Sequence, residues 1–190
     1  MLYRLDRKIN DECLDGLINV INELQPFETL DLYLRGEGGE LGVADSIVDI
    51  LNNITFTNTL NIYAYEFIMS AHFHIFFNCK AHSKKLSPNT YGMIHKGRWN
   101  IDILEGGHYS NDDYNVFLKA YTANTNSLIN LKKFIKFNSI ESKFIKENKD
   151  LYILPERMGE LLDYNRTKTQ AKQLKITLDN EHIKGEFNIS

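Results

Sequence analysis

The sequence predicts an α/β domain whose strands pair largely in parallel. Segments with helical spacing of apolar residues alternate along the chain with short β-type segments, and glycine- and proline-containing turns separate them. Parallel neighbours in a sheet need long crossover connections, and helices usually supply them. At 190 residues the chain is long enough for one domain with a substantial core, and length gives no reason to expect a second.

The composition excludes several classes of protein. A hydrophobic fraction of 43% and a net charge of −3 are ordinary for a globular protein and give no general attraction to nucleic acid or anionic membranes. No stretch approaches the roughly 18 apolar residues of a membrane span, and the charged N-terminus lacks a signal-peptide core. Cys13 and Cys79 have no metal-ligand spacing, which favours buried free thiols. We therefore expect a cytoplasmic protein with no metal, cofactor, nucleic-acid or membrane partner.

The predicted helices have apolar residues three and four positions apart. They span residues 10–24, 43–54, 111–137, 139–148 and about 156–162. Asn10 or Asp11 can cap the first helix, because either side chain accepts from free N–H groups of the first turn. Pro26 follows the end of this helix. The segment 111–137 is much longer than the other four.

The predicted strands are β-type runs over residues 30–34, 60–65, 91–94 and 151–154. A glycine-rich turn over residues 36–39 follows the first strand. The second leads into Ser70 and an apolar, helix-like run to Cys79, and the third ends at His95. Residues 164–190 are mostly polar, which is typical of a tail or a peripheral hairpin.

Three features lie in loops after predicted strands, where α/β sheets present ligand-binding groups. Gly38 and Gly39 allow a tight turn with free N–H groups, although a lone glycine pair is more often a simple turn. Ser70 can lie at a helix N-terminus that favours a developing negative charge, although most serines at such junctions are caps. His95 ends a strand, where a lone histidine is usually a surface or core residue. Residue patterns alone leave these alternatives open.

Taken together, these segments resemble the proteolytic subunit of the Clp protease. Residues 32–41, Leu-Tyr-Leu-Arg-Gly-Glu-Gly-Gly-Glu-Leu, are similar to the family's strand and its Ser-Pro-Gly-Gly-Ser-Val turn. Residues 68–71, Ile-Met-Ser-Ala, fall where the family has Ala-Ala-Ser-Met with the nucleophilic serine. Residues 86–95, Leu-Ser-Pro-Asn-Thr-Tyr-Gly-Met-Ile-His, are similar to Ala-Leu-Pro-Asn-Ser-Arg-Val-Met-Ile-His, which ends in the catalytic base. His95 follows Ser70 by 25 residues, as in the family, and the resemblance covers roughly residues 2–163.

The resemblance implies a Clp-peptidase/crotonase-type ββα spiral over residues 1–163, with a protruding handle helix at 111–137 and a polar C-terminal extension at 164–190. It also implies a serine-type endopeptidase. Ser70 would attack the peptide carbonyl, His95 would take its proton, and the N–H groups of Gly39 and Ala71 would hold the oxyanion. Gly38 would lie beside an extended peptide or unfolded-protein substrate. The implied assembly is a homo-oligomeric ring without a cofactor.

The third catalytic residue departs from the family, which has an Asp there. Ungapped counting places Lys146 at that position, and a shift of one residue places Glu147 there. Glu147 is the predicted acid, because its carboxylate can orient an imidazole as Asp does, and Asp150 is a more distant candidate. Glu37 replaces the proline of the family's turn, which alters the peptide-binding edge.

Other departures concern packing and partners. His72, Phe73 and His74 replace small residues after the family's serine, and the two histidines lack neighbours that would complete a metal site. The chain begins near the first core strand. It is therefore expected to lack the N-terminal helix and axial loops through which the family contacts ATP-driven unfoldases. An unfoldase is the partner that the sequence supports least.

Two rival interpretations stay open at this stage. A catalytically inactive Clp-like ring subunit is favoured by the missing Asp and by the unusual residues after Ser70. An acyl-CoA hydratase or isomerase of the crotonase group would share the spiral fold and its oxyanion turns. Such enzymes do not need Ser70 and His95 at these positions, so the retention of both favours hydrolysis.

Overall fold

A computed structural model of the chain describes residues 1–95, 135–147 and 149–168. Within them, six strands form one sheet: β1 (Leu2–Leu5), β2 (Thr29–Gly36), β3 (Thr59–Met69), β4 (Ser83–Leu86), β5 (Tyr91–Ile94) and β6 (Leu151–Ile153). The strand order is β1-β2-β3-β5-β6, and β4 pairs with the first half of β3. Each pairing is parallel except that of β5 with β6, which is antiparallel. The predicted α/β class with largely parallel strands is confirmed.

The described helices are α1 (Asp11–Glu23), α2 (Leu41–Ile54), α3 (Ala71–Asn78), α4 (Ser139–Lys146) and α5 over 155–168. Asn10 caps α1, because its side chain accepts from the Cys13 N–H at 3.1 Å. Strand β3 extends beyond its predicted end at residue 65. It does so because its first half pairs with β4 and its second half with β5. β4, Ser-Lys-Lys-Leu, was not predicted because it lacks alternating apolar residues.

The core lies between the sheet and helices α1 to α3. Alternate residues of β2 and β3 have at most 1% exposure on this side, and they are Leu30, Leu32, Leu34, Leu60, Ile62 and Ala64. Helix α3 is buried along its whole length, and the phenyl rings of Phe73, Phe76 and Phe77 are almost fully buried. Burial of each ring contributes about 2–3 kcal/mol to folding. The helix that follows Ser70 is therefore held rigidly in the core.

The segment before β6 is held by an ion pair between α4 and α5. The Glu141 carboxylate accepts from Arg157 Nε at 2.7 Å and from the backbone N–H of Asn138 at 2.7 Å, which completes a capping box. Burial raises the pKa of Glu141, but the hydrogen bonds from Arg157 and Asn138 outweigh burial and hold this pKa below its usual value. The two helices thus bracket residues 147–153.

Several predictions concern regions that the structure describes only in part. The predicted handle at 111–137 lies outside the described residues except for 135–137, which are not helical. Helix α5 continues to residue 168, beyond its predicted end at 162. Asn165 in this helix is buried and bonds to Lys84 Nζ and to the Phe77 carbonyl, each at 3.2 Å. Residues 164–168 therefore pack against the domain, and the rest of the predicted extension lies outside the described residues.

Both cysteines are buried and free, as predicted. Within the described ranges, no helix has the length and apolar character that crossing a lipid bilayer requires.

Candidate active site

Ser70 occupies a strained turn between β3 and α3. Its backbone angles are φ 50° and ψ −114°, in a region that favours glycine. A side-chain-bearing residue there costs about 1–3 kcal/mol and persists only where its surroundings hold it. The Ser70 N–H donates to the Met93 carbonyl at 2.8 Å, and the buried helix α3 fixes the other side of the turn. A strained strand-to-helix turn is the conformation in which α/β-hydrolases present a nucleophilic serine.

His95 lies beside Ser70 because of the pairing between β3 and β5. The two strands are parallel, with Met69 opposite Met93, so their carboxyl ends lie together. His95 follows β5, and its Nε2 lies 2.8 Å from the Ser70 Oγ. This is hydrogen-bonding distance between a hydroxyl and an imidazole nitrogen. The structure therefore brings together the two residues that the sequence predicted as nucleophile and base.

The carboxylate next to His95 is that of Asp150. Strand β6 runs antiparallel to β5 with Leu151 opposite Ile94, which places the residue before β6 beside the residue after β5. Asp150 Oδ1 lies 3.9 Å from His95 Nδ1, the nitrogen that faces away from Ser70. This distance is longer than a hydrogen bond, but distances between catalytic groups are often longer in the absence of substrate.

Glu147, the predicted acid, does not approach His95. Its carboxylate contacts Lys149 Nζ at 2.7 Å and Lys143 Nζ at 3.8 Å. Glu147 is the C-cap of α4, and Lys146 is the last residue of that helix. Among the described residues, Asp150 is the one whose carboxylate pairs with His95. The carboxylate beside His95 therefore lies later in the sequence than a comparison without gaps suggests.

The glycine turn, residues 36–39, passes directly against Ser70. Gly38 has φ 115°, and a Cβ on it would lie 2.6 Å from the Ser70 Cβ, too close for any side chain. The Gly38 carbonyl accepts from the Ile9 N–H at 2.9 Å. Because a peptide unit is trans, the N–H of Gly39 in the same unit points away from Ile9.

Two backbone amides near Ser70 remain suited to a ligand. The Ala71 N–H lies in the first turn of α3, where a helix offers no internal partner. A Cβ on Gly38 would lie 3.2 Å from this nitrogen, so the glycine turn and the start of α3 are adjacent. The Gly39 N–H has no hydrogen-bond acceptor among the described residues. The Ala71 amide thus lies beside Ser70. The Gly39 amide belongs to the residue that follows Gly38, whose Cα passes against Ser70.

His72 is a site residue whose role the sequence did not reveal. It is fully buried, and its Nδ1 accepts from the Gly38 N–H at 3.1 Å. Nε2 is also buried and lacks a well-formed hydrogen bond in the described part of the chain. Burial lowers the pKa of His72 to about 4, while the Leu5 backbone and the Asp6 carboxylate act in the opposite direction. The imidazole is therefore neutral at pH 7.

The two histidines after Ser70 do not converge on a common point. His74 Nε2 lies 2.6 Å from Asp45 Oδ1, and Asn78 contacts its Nδ1 at 3.0 Å. His72 bonds instead to Gly38. Each ring thus links α3 to a different element. His72 thus contacts the glycine turn, and His74 contacts α2 away from that turn.

We expect acid to destabilise the native state through His72. The pKa of this group is 6.5 in the unfolded chain and about 4 in the folded chain, so the unfolded state binds the extra proton between these values. Stability therefore falls as pH falls from 6.5 to 4, by up to about 3 kcal/mol for a shift of this size. Urea unfolding of the wild type and of His72→Asn at pH 7 and pH 4.5 measures this loss.

The difference between the two proteins isolates His72, because every other side chain is the same in both. The wild type should lose more stability than His72→Asn over this pH interval. Equal losses would contradict the assignment.

The comparisons with known proteins agree with the fold. No protein-family model matches the chain, and no curated protein matches it either. Among solved structures, the chain is similar to the catalytic domain of the ClpP protease from Plasmodium falciparum, with a TM-score of 0.62 and 17% sequence identity. The alignment covers 84% of this chain and 80% of that chain. At this identity the likeness shows the fold alone, and the predicted Clp-peptidase type of α/β fold is confirmed.

Proposed function

We propose that this chain is a serine hydrolase of the Clp-peptidase type that cleaves peptide bonds. The observation that carries the proposal is the 2.8 Å contact between Ser70 Oγ and His95 Nε2. Activation of a serine requires an adjacent base within this distance. The strained backbone of Ser70 supports the same role, because strain of this kind concentrates at functional sites.

The proposed reaction proceeds in two halves. The Ser70 hydroxyl adds to the peptide carbonyl carbon while its proton moves to His95 Nε2. The tetrahedral intermediate collapses, the C–N bond breaks, and His95 returns the proton to the leaving amine. Water then gives a proton to His95 Nε2 and adds to the acyl carbon. The second intermediate collapses, the bond between that carbon and Ser70 Oγ breaks, and His95 returns the proton to Oγ as the carboxylic acid leaves. No redox partner or cofactor is needed.

Asp150 is the proposed third group of the site. For Nε2 to accept the serine proton, the neutral imidazole must carry its own proton on Nδ1. The Asp150 carboxylate faces Nδ1 at 3.9 Å, and a shortening of this distance with substrate bound would hold that tautomer and stabilise the imidazolium. Glu147 is not proposed for this role, because its carboxylate contacts Lys143 and Lys149.

The oxyanion would be held by the N–H groups of Gly39 and Ala71. Gly39 lies on the segment that passes Ser70, and Ala71 begins the helix that follows it. Backbone donors at a helix N-terminus suit a developing negative charge, and one such donor typically lowers the barrier by about 3 kcal/mol.

The proposed substrate is an extended peptide that lies beside Gly38. Glu37 and Glu40 flank the two glycines and are exposed, so their charges would disfavour acidic side chains near the scissile bond. Assembly into a homo-oligomeric ring stays a prediction from the resemblance, and an unfoldase partner is not proposed.

A second candidate is a catalytically inactive Clp-like subunit. The 3.9 Å separation between His95 and Asp150 favours it, because the third contact of an intact triad is shorter. A crotonase-type acyl-CoA enzyme has less support, since it would not need the Ser70–His95 contact. Chemical reactivity of Ser70 distinguishes the first proposal from both alternatives.

A fluorophosphonate probe tests the proposal. We expect it to label the wild-type protein at Ser70, identified by peptide mass spectrometry, because only an activated serine displaces fluoride from phosphorus. Ser70→Ala should not be labelled. Ser46→Ala is the matched control, because Ser46 is an exposed serine on α2 and its loss should leave labelling intact. A folded wild-type protein that remains unlabelled would favour the inactive subunit.

A further inference from the structure

His72 connects the nucleophile helix to the glycine turn. The residue lies in the first turn of α3, two positions after Ser70, and its side chain is fully buried. Its Nδ1 accepts the Gly38 N–H at 3.1 Å. Helix α3, whose N-cap is Ser70, therefore carries both the Ala71 amide and the ring that bonds to the opposite segment of the site.

The glycine turn is shaped to receive this ring. A Cβ added to Gly36 would lie 2.7 Å from His72 Nε2 and 3.0 Å from Nδ1, so only a glycine lets the backbone lie this close. The two peptide units that flank the Gly38 Cα each form one hydrogen bond. His72 holds the N–H of Gly38, and the Ile9 N–H holds its carbonyl at 2.9 Å.

These two bonds determine where the Gly39 amide points. The Gly38 carbonyl and the Gly39 N–H belong to one planar trans peptide and point in opposite directions. Holding the carbonyl on Ile9 sets the direction of the Gly39 N–H, and holding the N–H of the preceding peptide unit on His72 ties the turn to α3. We infer that His72 is a positioning residue that holds the glycine turn against Ser70 and so sets the oxyanion hole. This inference rests on the proposed function.

The chemistry of the contact requires an unprotonated nitrogen at the Nδ1 position. An Asn side chain places its Oδ1 acceptor at nearly the same distance from the backbone, whereas Leu fills similar space without an acceptor. A Gln side chain carries its acceptor one bond farther out. These three substitutions therefore separate the effect of losing the hydrogen bond from the effect of altered packing.

The experiment compares His72→Asn and His72→Leu with the wild type, with His74→Leu as the control. His74 is a buried histidine on the same helix, but it bonds to Asp45 rather than to the glycine turn. We expect His72→Leu to lower kcat and the rate of fluorophosphonate labelling by about 10²-fold with little change in KM, as for a misplaced oxyanion donor. His72→Asn should retain most of the activity. His74→Leu should lower Tm without this loss of kcat.

Hydrogen exchange of the Gly38 amide provides a readout that needs no activity. It should become faster in His72→Leu and stay protected in His72→Asn. If the wild type is not labelled at all, the proposed function fails, and the exchange rates still test the positioning role. If His72→Leu does not fold, the same comparison is made between His72→Gln and His72→Asn.

Two results would overturn the inference. One is unchanged Gly38 exchange in a folded variant that lacks the acceptor. The other is an equal loss of kcat in the Asn and Leu variants at matched Tm, which would indicate packing alone.

Discussion

Replacing Ser70 by Ala is expected to lower turnover of a peptide or ester substrate by about a millionfold, the effect of removing the nucleophile in an unrelated serine protease. In the proposed mechanism the hydroxyl oxygen forms the covalent bond to the substrate. His95→Ala should have an effect of similar size, because its Nε2 lies 2.8 Å from the Ser70 Oγ and is the proposed acceptor of the serine proton. Steady-state kcat values measure both effects.

The double variant makes this prediction sharper. Ser70 and His95 act as one unit, so removing both should lower kcat hardly more than removing either. Ser46→Ala serves as the control, since Ser46 lies on α2 and bonds to the Gly42 carbonyl. Losses below about a hundredfold for Ser70→Ala would mean that the observed hydrolysis arises elsewhere.

Replacing Asp150 by Asn is expected to lower kcat by about ten-thousandfold, the effect of the same change in a Ser-His-Asp triad. The amide keeps the size of the side chain but removes the charge that faces His95 Nδ1 at 3.9 Å. It can also donate to the imidazole and so favour the tautomer that cannot accept the serine proton. KM should change much less than kcat, because Asp150 acts on the imidazole and not on the substrate.

Glu147→Gln is the matched comparison for Asp150→Asn. Glu147 lies three residues before Asp150, and its carboxylate pairs with Lys149 and Lys143. We expect this variant to keep kcat close to that of the wild type. A large loss in Glu147→Gln together with a small loss in Asp150→Asn would return the role to Glu147. Small losses in both would indicate a Ser-His dyad.

An unreactive Ser70 would also have a physical interpretation. The strained turn at Ser70 and the buried bond between His72 and Gly38 would then serve the architecture of a Clp-like subunit. Ser70→Gly would then stabilise the fold, since glycine adopts φ 50° without a Cβ clash.

Much of the fold could be predicted from local patterns. The apolar periodicity predicted α1 and α2, and β-type runs predicted β2, β3 and β5. Ser70 and His95 were predicted from short motifs that resemble those of the Clp family and from the spacing between them. Both residues follow strands that the local patterns also predicted. Parallel pairing of β3 with β5 then places the two residues together. The helices and strands depend on neighbours in the sequence, which is why the sequence alone determined them, whereas the pairing of β3 with β5 is a feature of the tertiary structure.

The choice of Asp150 as the candidate acid and the inferred role of His72 became visible only in the tertiary structure. Asp150 faces His95 because of the antiparallel register of β5 and β6, and residue counting cannot determine a register across a connection of more than fifty residues. His72 appeared in the sequence only as a bulky residue where the Clp family has a small one. Its inferred role depends on its burial and on its contact with Gly38, 34 residues earlier in the chain. Periodicity encodes which face of an element is buried, whereas the partner that a buried polar group finds there is decided only when the elements pack.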